Sequence, residues 1–190
     1  MKKASQASHG LEWRKVRSET GPDLGLLRVR HDWMQPPDAG PTRRRLVLES
    51  PDWVNCIATT EDGRIVLVEQ HRFGIGSCTL EPPGGTVEPG ESPFEAMQRE
   101  LVEETGYGGG EWSYLGAVEP NPALHPHLCH HYLATGVRPI SAPRPADDEV
   151  MAVLLATPDE VRAAVQDGQI RHALALTALM RVMTLYPTVG

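Results

Sequence analysis

The sequence predicts a mixed α/β (α+β) fold. Short apolar runs separated by glycine- and proline-rich turns read as strands, and two segments carry full helix-start signals. The first signal is Ser92-Pro93-Phe94-Glu95, and the second is Thr157-Pro158-Asp159-Glu160. Each places a hydroxyl cap, a proline in the first turn and a carboxylate three residues after the cap. A helix between two sets of strands, followed by further helices near the C-terminus, fits a layered domain with one core.

In chain order, residues 1 to 10 are polar and are expected to be disordered. Residues 11 to 45 are expected to form a small N-terminal β segment, with weakly alternating strands over Leu11 to Val16 and Leu24 to Trp33. The loop QPPDAGPT at 35–42 follows. Leu46 to Leu48 reads as a short strand opening the main domain, 46–190. Trp53 to Thr59 and Arg64 to Glu69 form a hairpin around Thr60-Glu61-Asp62-Gly63. The first helix spans about Pro93 to Thr105, with Gly106 as a left-handed stop and Phe94, Met97 and Leu101 as its buried stripe. Trp112 to Val118, Leu128 to Thr135 and the apolar run Val150 to Leu155, expected to be buried, complete the strands. A short helix then stops at Gly168, and an apolar helix runs from Arg171 to Leu185, ended by Pro187.

Composition narrows the function classes. The chain has 190 residues and a net charge of −7, and its only basic run is Arg43-Arg44-Arg45. Extended nucleic-acid binding relies on clustered Lys and Arg and is not expected. No stretch is long and apolar enough to predict a membrane span. Three cysteines at unrelated spacings, Cys56, Cys78 and Cys129, suggest a reducing compartment, so the expected location is cytoplasmic.

On the first helix Glu100, Glu103 and Glu104 stand at i, i+3 and i+4, where like charges repel by a few tenths of a kcal/mol each. No lysine is interleaved. Oxygen ligands clustered this way suit a hard divalent cation, Mg2+ or Mn2+. A solvated acidic helix end is the bland alternative. The histidine-rich stretch His125-Pro126-His127-Leu128-Cys129-His130-His131 lacks the distant second ligand pair of a structural zinc site. It reads instead as a strand start with polar histidines, of which His127 is a candidate substrate contact.

The run from Gly85 to Tyr107 resembles the Nudix box, G-x5-E-x7-R-E-U-x-E-E-x-G-U, where U is an aliphatic residue. Gly85, Glu91, Arg99, Glu100, Leu101, Glu103, Glu104 and Gly106 fill its fixed positions, and Tyr107 departs only at the last apolar one. The resemblance implies the Nudix fold, a mixed sheet sandwiched between helices. Glu69-Gln70-His71-Arg72 and Glu81-Pro82-Pro83-Gly84-Gly85 resemble the ADP-ribose/nucleotide-sugar pyrophosphatase branch. Pro122, sixteen residues after Gly106, resembles its proline spacing, although Asn121-Pro122-Ala123 departs from the usual S-P-G.

By this resemblance Glu100, Glu103, Glu104 and the Gly84 carbonyl hold the cation. Arg99 orients the glutamates, Glu91 supports the loop, and Arg72 contacts a substrate phosphate, unless it is a simple surface residue of its hairpin. The loop Asp147-Asp148-Glu149 lies where relatives carry a base or an added ligand, so Asp147, Glu149 and Glu103 are the candidate bases. Trp13 and Trp33 could stack on a base or pack in the N-terminal sheet, and a homodimer is implied.

The expected reaction is hydrolysis of a nucleoside diphosphate linked to another moiety, ADP-ribose or another nucleotide sugar. The products are a nucleoside monophosphate and a phosphorylated sugar. Two other readings stay open. One is a Nudix enzyme for nucleoside triphosphates, dinucleoside polyphosphates or coenzyme A. The other is a non-catalytic nucleotide-sensing module, against which the retained box glutamates speak.

Overall fold

A computed structural model describes residues 10–146 and 149–185. The tail expected at 1 to 10, apart from Gly10, and Asp147 and Asp148 lie outside the described residues. The chain divides into two compact units, residues 1–50 with 121–126, and residues 51–120 with 127–190.

The first unit is a three-stranded antiparallel meander, β1 (Arg14–Asp23), β2 (Arg28–Gln35) and β3 (Arg43–Glu49), in the order β1-β2-β3. The strands are offset from the sequence reading. β1 runs through Gly21-Pro22, which a register shift between Thr20 and Asp23 absorbs. The actual reversal follows at Asp23–Arg28, where the Leu24 N–H donates to the Leu27 carbonyl at 2.8 Å. Inside this sheet the buried Asp32 accepts from Ser18 (2.6 Å) and from Arg30 through two nitrogens.

The second unit holds β4 (Trp53–Thr60), β5 (Ile65–Arg72), β6 (Ser77–Glu81), β7 (Gly84–Thr86), α1 (Pro93–Thr105), β8 (Tyr107–Gly108), β9 (Glu111–Val118), β10 (Cys129–Pro139), β11 (Met151–Ala156), α2 (Pro158–Gln166) and α3 (Ala173–Leu179). Its sheet runs β11-β5-β4-β10-β8, with β6 on β5, β7 on β4 and β9 on β10. The β4–β10 pair is parallel and the other pairs are antiparallel, so the sheet is mixed.

Alternation along the central strands builds a core on each face. Val54, Cys56, Ala58 and Val66 pack with Ala96, Met97 and Leu101 of α1. Ile57, Ile65 and Leu67 pack with Val161 of α2 and Ala175, Ala178 and Leu179 of α3. Helices therefore cover both faces, the sandwich expected. Leu101 is fully buried, and its truncation to alanine would cost about 2–5 kcal/mol.

Helix α1 begins and ends where its caps predict. Ser92 and Glu95 form the reciprocal capping box, and Gly106 ends the helix at φ 74°. A side chain at 106 would also run into the Ser141 carbonyl. Three expectations need correction. Phe94 is not in the buried stripe; it lies at the helix edge, its ring 5.6 Å from Trp112 and 5.8 Å from Tyr132. The run at 150–155 is an edge strand pairing with β5, and Val150, Leu154 and Leu155 are exposed. The last helix spans only Ala173–Leu179. Thr177 turns its hydroxyl back onto the Ala173 and Leu174 carbonyls, and beyond Met180 the bonding tightens to Val182 N–H on Leu179.

Candidate active site

The box loop and α1 meet around a single guanidinium. Arg99 donates through Nη2 to Glu91 Oε1 (2.7 Å) and the Thr86 carbonyl (3.0 Å), and through Nε to Glu91 Oε2 (3.3 Å). Its Nη1 donates to Glu100 Oε1 and Glu103 Oε2, each at 3.0 Å. Glu91 also accepts the Glu88 N–H at 2.7 Å, which pins the loop. One cation thus holds three carboxylates in fixed directions.

Glu104 is set apart. It is 3% exposed, so the bland alternative of a solvated acidic helix end does not describe it. Its Oε2 accepts the Gly84 N–H at 2.9 Å. Burial pushes its carboxyl up to about 8; Glu100 and Glu149 push the same way, and the Gly84 N–H and Arg72 oppose them. Burial also raises Glu100, against the pull of Arg99. Glu103 is half-exposed.

Glu149 acts on this cluster by its charge, which raises both Glu100 and Glu104. Its loop is tied to the end of α1 by the Arg144 N–H, which donates to the Glu103 carbonyl at 2.7 Å.

The donor set fits a hard cation. Glu100 and Glu104 offer only oxygens, and both are held where burial penalises their charge. Gly85 faces Glu100, and any side chain there would collide with its carboxylate. Among the described residues no three His, Cys, Asp or Glu side chains form a ready-made metal cluster. The arrangement is a pair of carboxylates whose charge is penalised by burial.

Arg72 belongs to a second network. It grips Glu81 at two points, Nε to Oε1 at 2.9 Å and Nη2 to Oε2 at 2.8 Å. Thr79 donates to Oε1, and His172 Nδ1 lies 2.6 Å from Oε2. Despite its burial, these donors hold Glu81 well below the usual carboxylate range. Arg72 in turn feels the charges of Glu104 and Glu149. In the sequence Glu81 stands out only as part of a turn motif, with no role of its own, and His172 does not stand out at all. Thr79 and Glu81 share one face of a strand, a usable signal for the acid, but nothing local marks its partner 91 residues away.

The remaining candidates make other contacts. His127 is buried, its ring 4.6 Å from that of Trp53, so it belongs to the packed interior. His130 bridges Tyr114 Oη (3.0 Å) and Asp52 (3.2 Å), whereas His131 is buried against Asn55 at 2.6 Å. Trp33 lies in the first unit with the Arg17 guanidinium 3.6 Å above its ring, so one of its faces is already taken.

A mixed sheet between helices carries a carboxylate pair on the box helix and two arginines whose charges act on it, an arrangement suited to a phosphate compound bound with a cation. Comparison with known proteins sharpens this. A model of the NUDIX domain matches residues 49–177. The ADP-ribose pyrophosphatase of Mycobacterium tuberculosis (strain ATCC 25618 / H37Rv) is 29% identical over 178 residues, covering 93% of this chain and 84% of that one. The methanol dehydrogenase activator of Bacillus methanolicus is 30% identical over 141 residues, 74% of this chain and 76% of that one. The crystal structure of an ADP compounds hydrolase shares the fold, with a TM-score of 0.77 over 90% of this chain and 93% of that one at 21% identity. The chain belongs to the Nudix family, in its ADP-ribose pyrophosphatase-like branch, and is a Nudix hydrolase. Enzymes of this family work with a divalent metal ion.

Proposed function

We propose that the chain hydrolyses the pyrophosphate bond of a nucleoside diphosphate linked to a sugar, with ADP-ribose the leading substrate. The products are a nucleoside monophosphate and a phosphorylated sugar. The observation that carries this reading is the buried, charge-penalised Glu104 beside Glu100, with Arg72 acting on the same cluster. The relative named for ADP-ribose hydrolysis over most of both chains supports the choice of substrate.

In this reading Glu100, Glu104, Glu103 and the Gly84 carbonyl hold Mg2+ or Mn2+. Bound there, the cation supplies charge neutralisation for the diphosphate oxygens and a more acidic water. Arg99 fixes the directions of Glu100 and Glu103, so the ligands need little reorganisation during the reaction. Arg72 uses two donors on Glu81 and keeps the rest of its fork for a substrate phosphate. Glu149, with Asp147 and Glu103 as the other candidates, takes the proton from the attacking water.

The substrate is a small nucleotide. The chain has no helix long and apolar enough to cross a membrane among its described residues. Homodimerisation is proposed through the first unit, where Leu11, Trp13, Val16 and Leu46 are exposed. A cytoplasmic location is proposed from three free cysteines.

The deciding experiment is a phosphatase-coupled phosphate-release screen over nucleotide derivatives with Mg2+ or Mn2+. ADP-ribose or another nucleotide sugar should lead the ranking. Turnover of triphosphates or coenzyme A alone would refute the substrate, and binding without turnover would refute the enzyme. Light scattering against concentration tests the dimer.

A further inference from the structure

His172 is the N-cap residue of α3, yet its side chain makes no bond to the helix it starts. Its Nδ1 instead lies 2.6 Å from Glu81 Oε2. With Glu81 ionised, Nδ1 is the donor. Both carboxylate oxygens are then doubly served, Oε1 by Arg72 Nε and Thr79, and Oε2 by Arg72 Nη2 and His172. Such full pairing is what keeps a buried carboxylate ionised.

The segment carrying His172 is itself fixed to the sheet. The Leu80 N–H donates to the Gln169 carbonyl at 3.4 Å, and Arg171 Nη2 donates to Ser77 Oγ at 2.8 Å. Asn55 Nδ2 of β4 donates to the Leu174 carbonyl at 3.2 Å. His172 therefore reaches Glu81 from a rigid base.

We propose that His172 is a positioning residue for phosphate recognition: through Glu81 it sets the direction of the Arg72 guanidinium. This rests on the reading of Arg72 as a phosphate contact. A planar fork held in place binds a phosphate with less loss of freedom than one that must first be ordered. Without the imidazole, one lone pair of Glu81 loses its donor and the two-point grip on Arg72 loosens.

The test compares His172→Phe, which keeps a ring and removes the donor, with His172→Asn, whose amide nitrogen takes the place of Nδ1. Steady-state kinetics on ADP-ribose with Mg2+ are measured alongside the Arg72 Nε–H resonance. His172→Phe should raise KM about tenfold with a smaller change in kcat, in the range typical of lost outer-shell partners. It should also move the Arg72 resonance toward that of a free arginine. His172→Asn should return both to near wild type. In an Arg72→Ala background, His172→Phe should add nothing further to KM.

An unmoved resonance in His172→Phe, or a further KM increase in the Arg72→Ala background, would overturn the positioning role. Unchanged KM in Arg72→Ala would instead overturn the phosphate reading, and the resonance would still decide whether His172 holds Arg72. Loss of the folded near-ultraviolet spectrum in both His172 variants would mark the residue as structural and overturn the proposal.

Discussion

Arg99 and Arg72 each organise carboxylates beside the box helix, but they leave opposite balances of charge. Arg72 meets one acid, Glu81, which also receives Thr79 and His172 and is held firmly ionised. Arg99 is shared among Glu91, Glu100 and Glu103, and Glu104 is left with a backbone N–H. In the first network the single acid is fully paired. The second is short of positive charge, which is where a divalent cation has most to gain. A guanidinium does not by itself mark a catalytic centre; the acids it fails to neutralise do.

The sharpest way to break this contrast is Glu104→Gln, which removes a charge from the deficient network while keeping its shape. Hydrolysis should fall by about two to four powers of ten. Metal-free thermal stability should not fall, because the amide avoids the cost of burying a charge. Near-wild-type turnover would show that Glu104 is not where the deficit matters.

Glu149 touches both networks through its charge on Glu100, Glu104 and Arg72. Glu149→Gln should lower kcat by at least about tenfold with less effect on KM. Unchanged kcat would return the base to Glu103.

Mg2+ or Mn2+ should raise the melting temperature of the wild type, by the equivalent of about 2.7 kcal/mol at a hundredfold excess over Kd. If the cation is held as proposed, the shift should largely vanish in Glu104→Gln and persist in His172→Phe. A larger shift with Zn2+, lost on changing Cys129, would move the metal to the histidine stretch.

The smallest effect belongs to a buried pair outside both networks, His131 and Asn55, on which Arg181 acts only by its charge. Burial lowers the His131 imidazole to about 4, below its ordinary value of 6.5. The unfolded chain therefore takes up this proton first. Its contribution to stability is complete above about pH 6.5 and is lost as pH falls toward 4. Melting curves between those limits should drop less steeply for His131→Gln than for wild type, and parallel curves would count against the assignment.

What could be read in the sequence follows the same division. The ends of α1 were legible because Ser92, Pro93, Glu95 and Gly106 act within one turn of where they stand. The Arg99 network was legible because its acids come from one short motif. The burial of Glu104 was not, because the Gly84 loop that encloses it lies twenty positions earlier. The Glu81–His172 bond was not, because it spans 91 residues. The final helix was overextended because its apolar run continues past Leu179, although the backbone turns there. Phe94 failed as a core residue because helical spacing gives a face but not how far the neighbouring sheet reaches.

The parallel pairing of β4 with β10 has a kinetic consequence. Partners such as Asn55 and His131 are 76 residues apart, and each must find the other before the centre of the sheet exists. Closing so long a loop costs entropy before any contact repays it. Helix α1, capped by its own neighbours, needs no such search. A refolding chain should therefore acquire its acidic helix early and wait for β4 and β10 to meet. The speed at which a working enzyme appears should then follow the meeting of two strands that carry none of its glutamates.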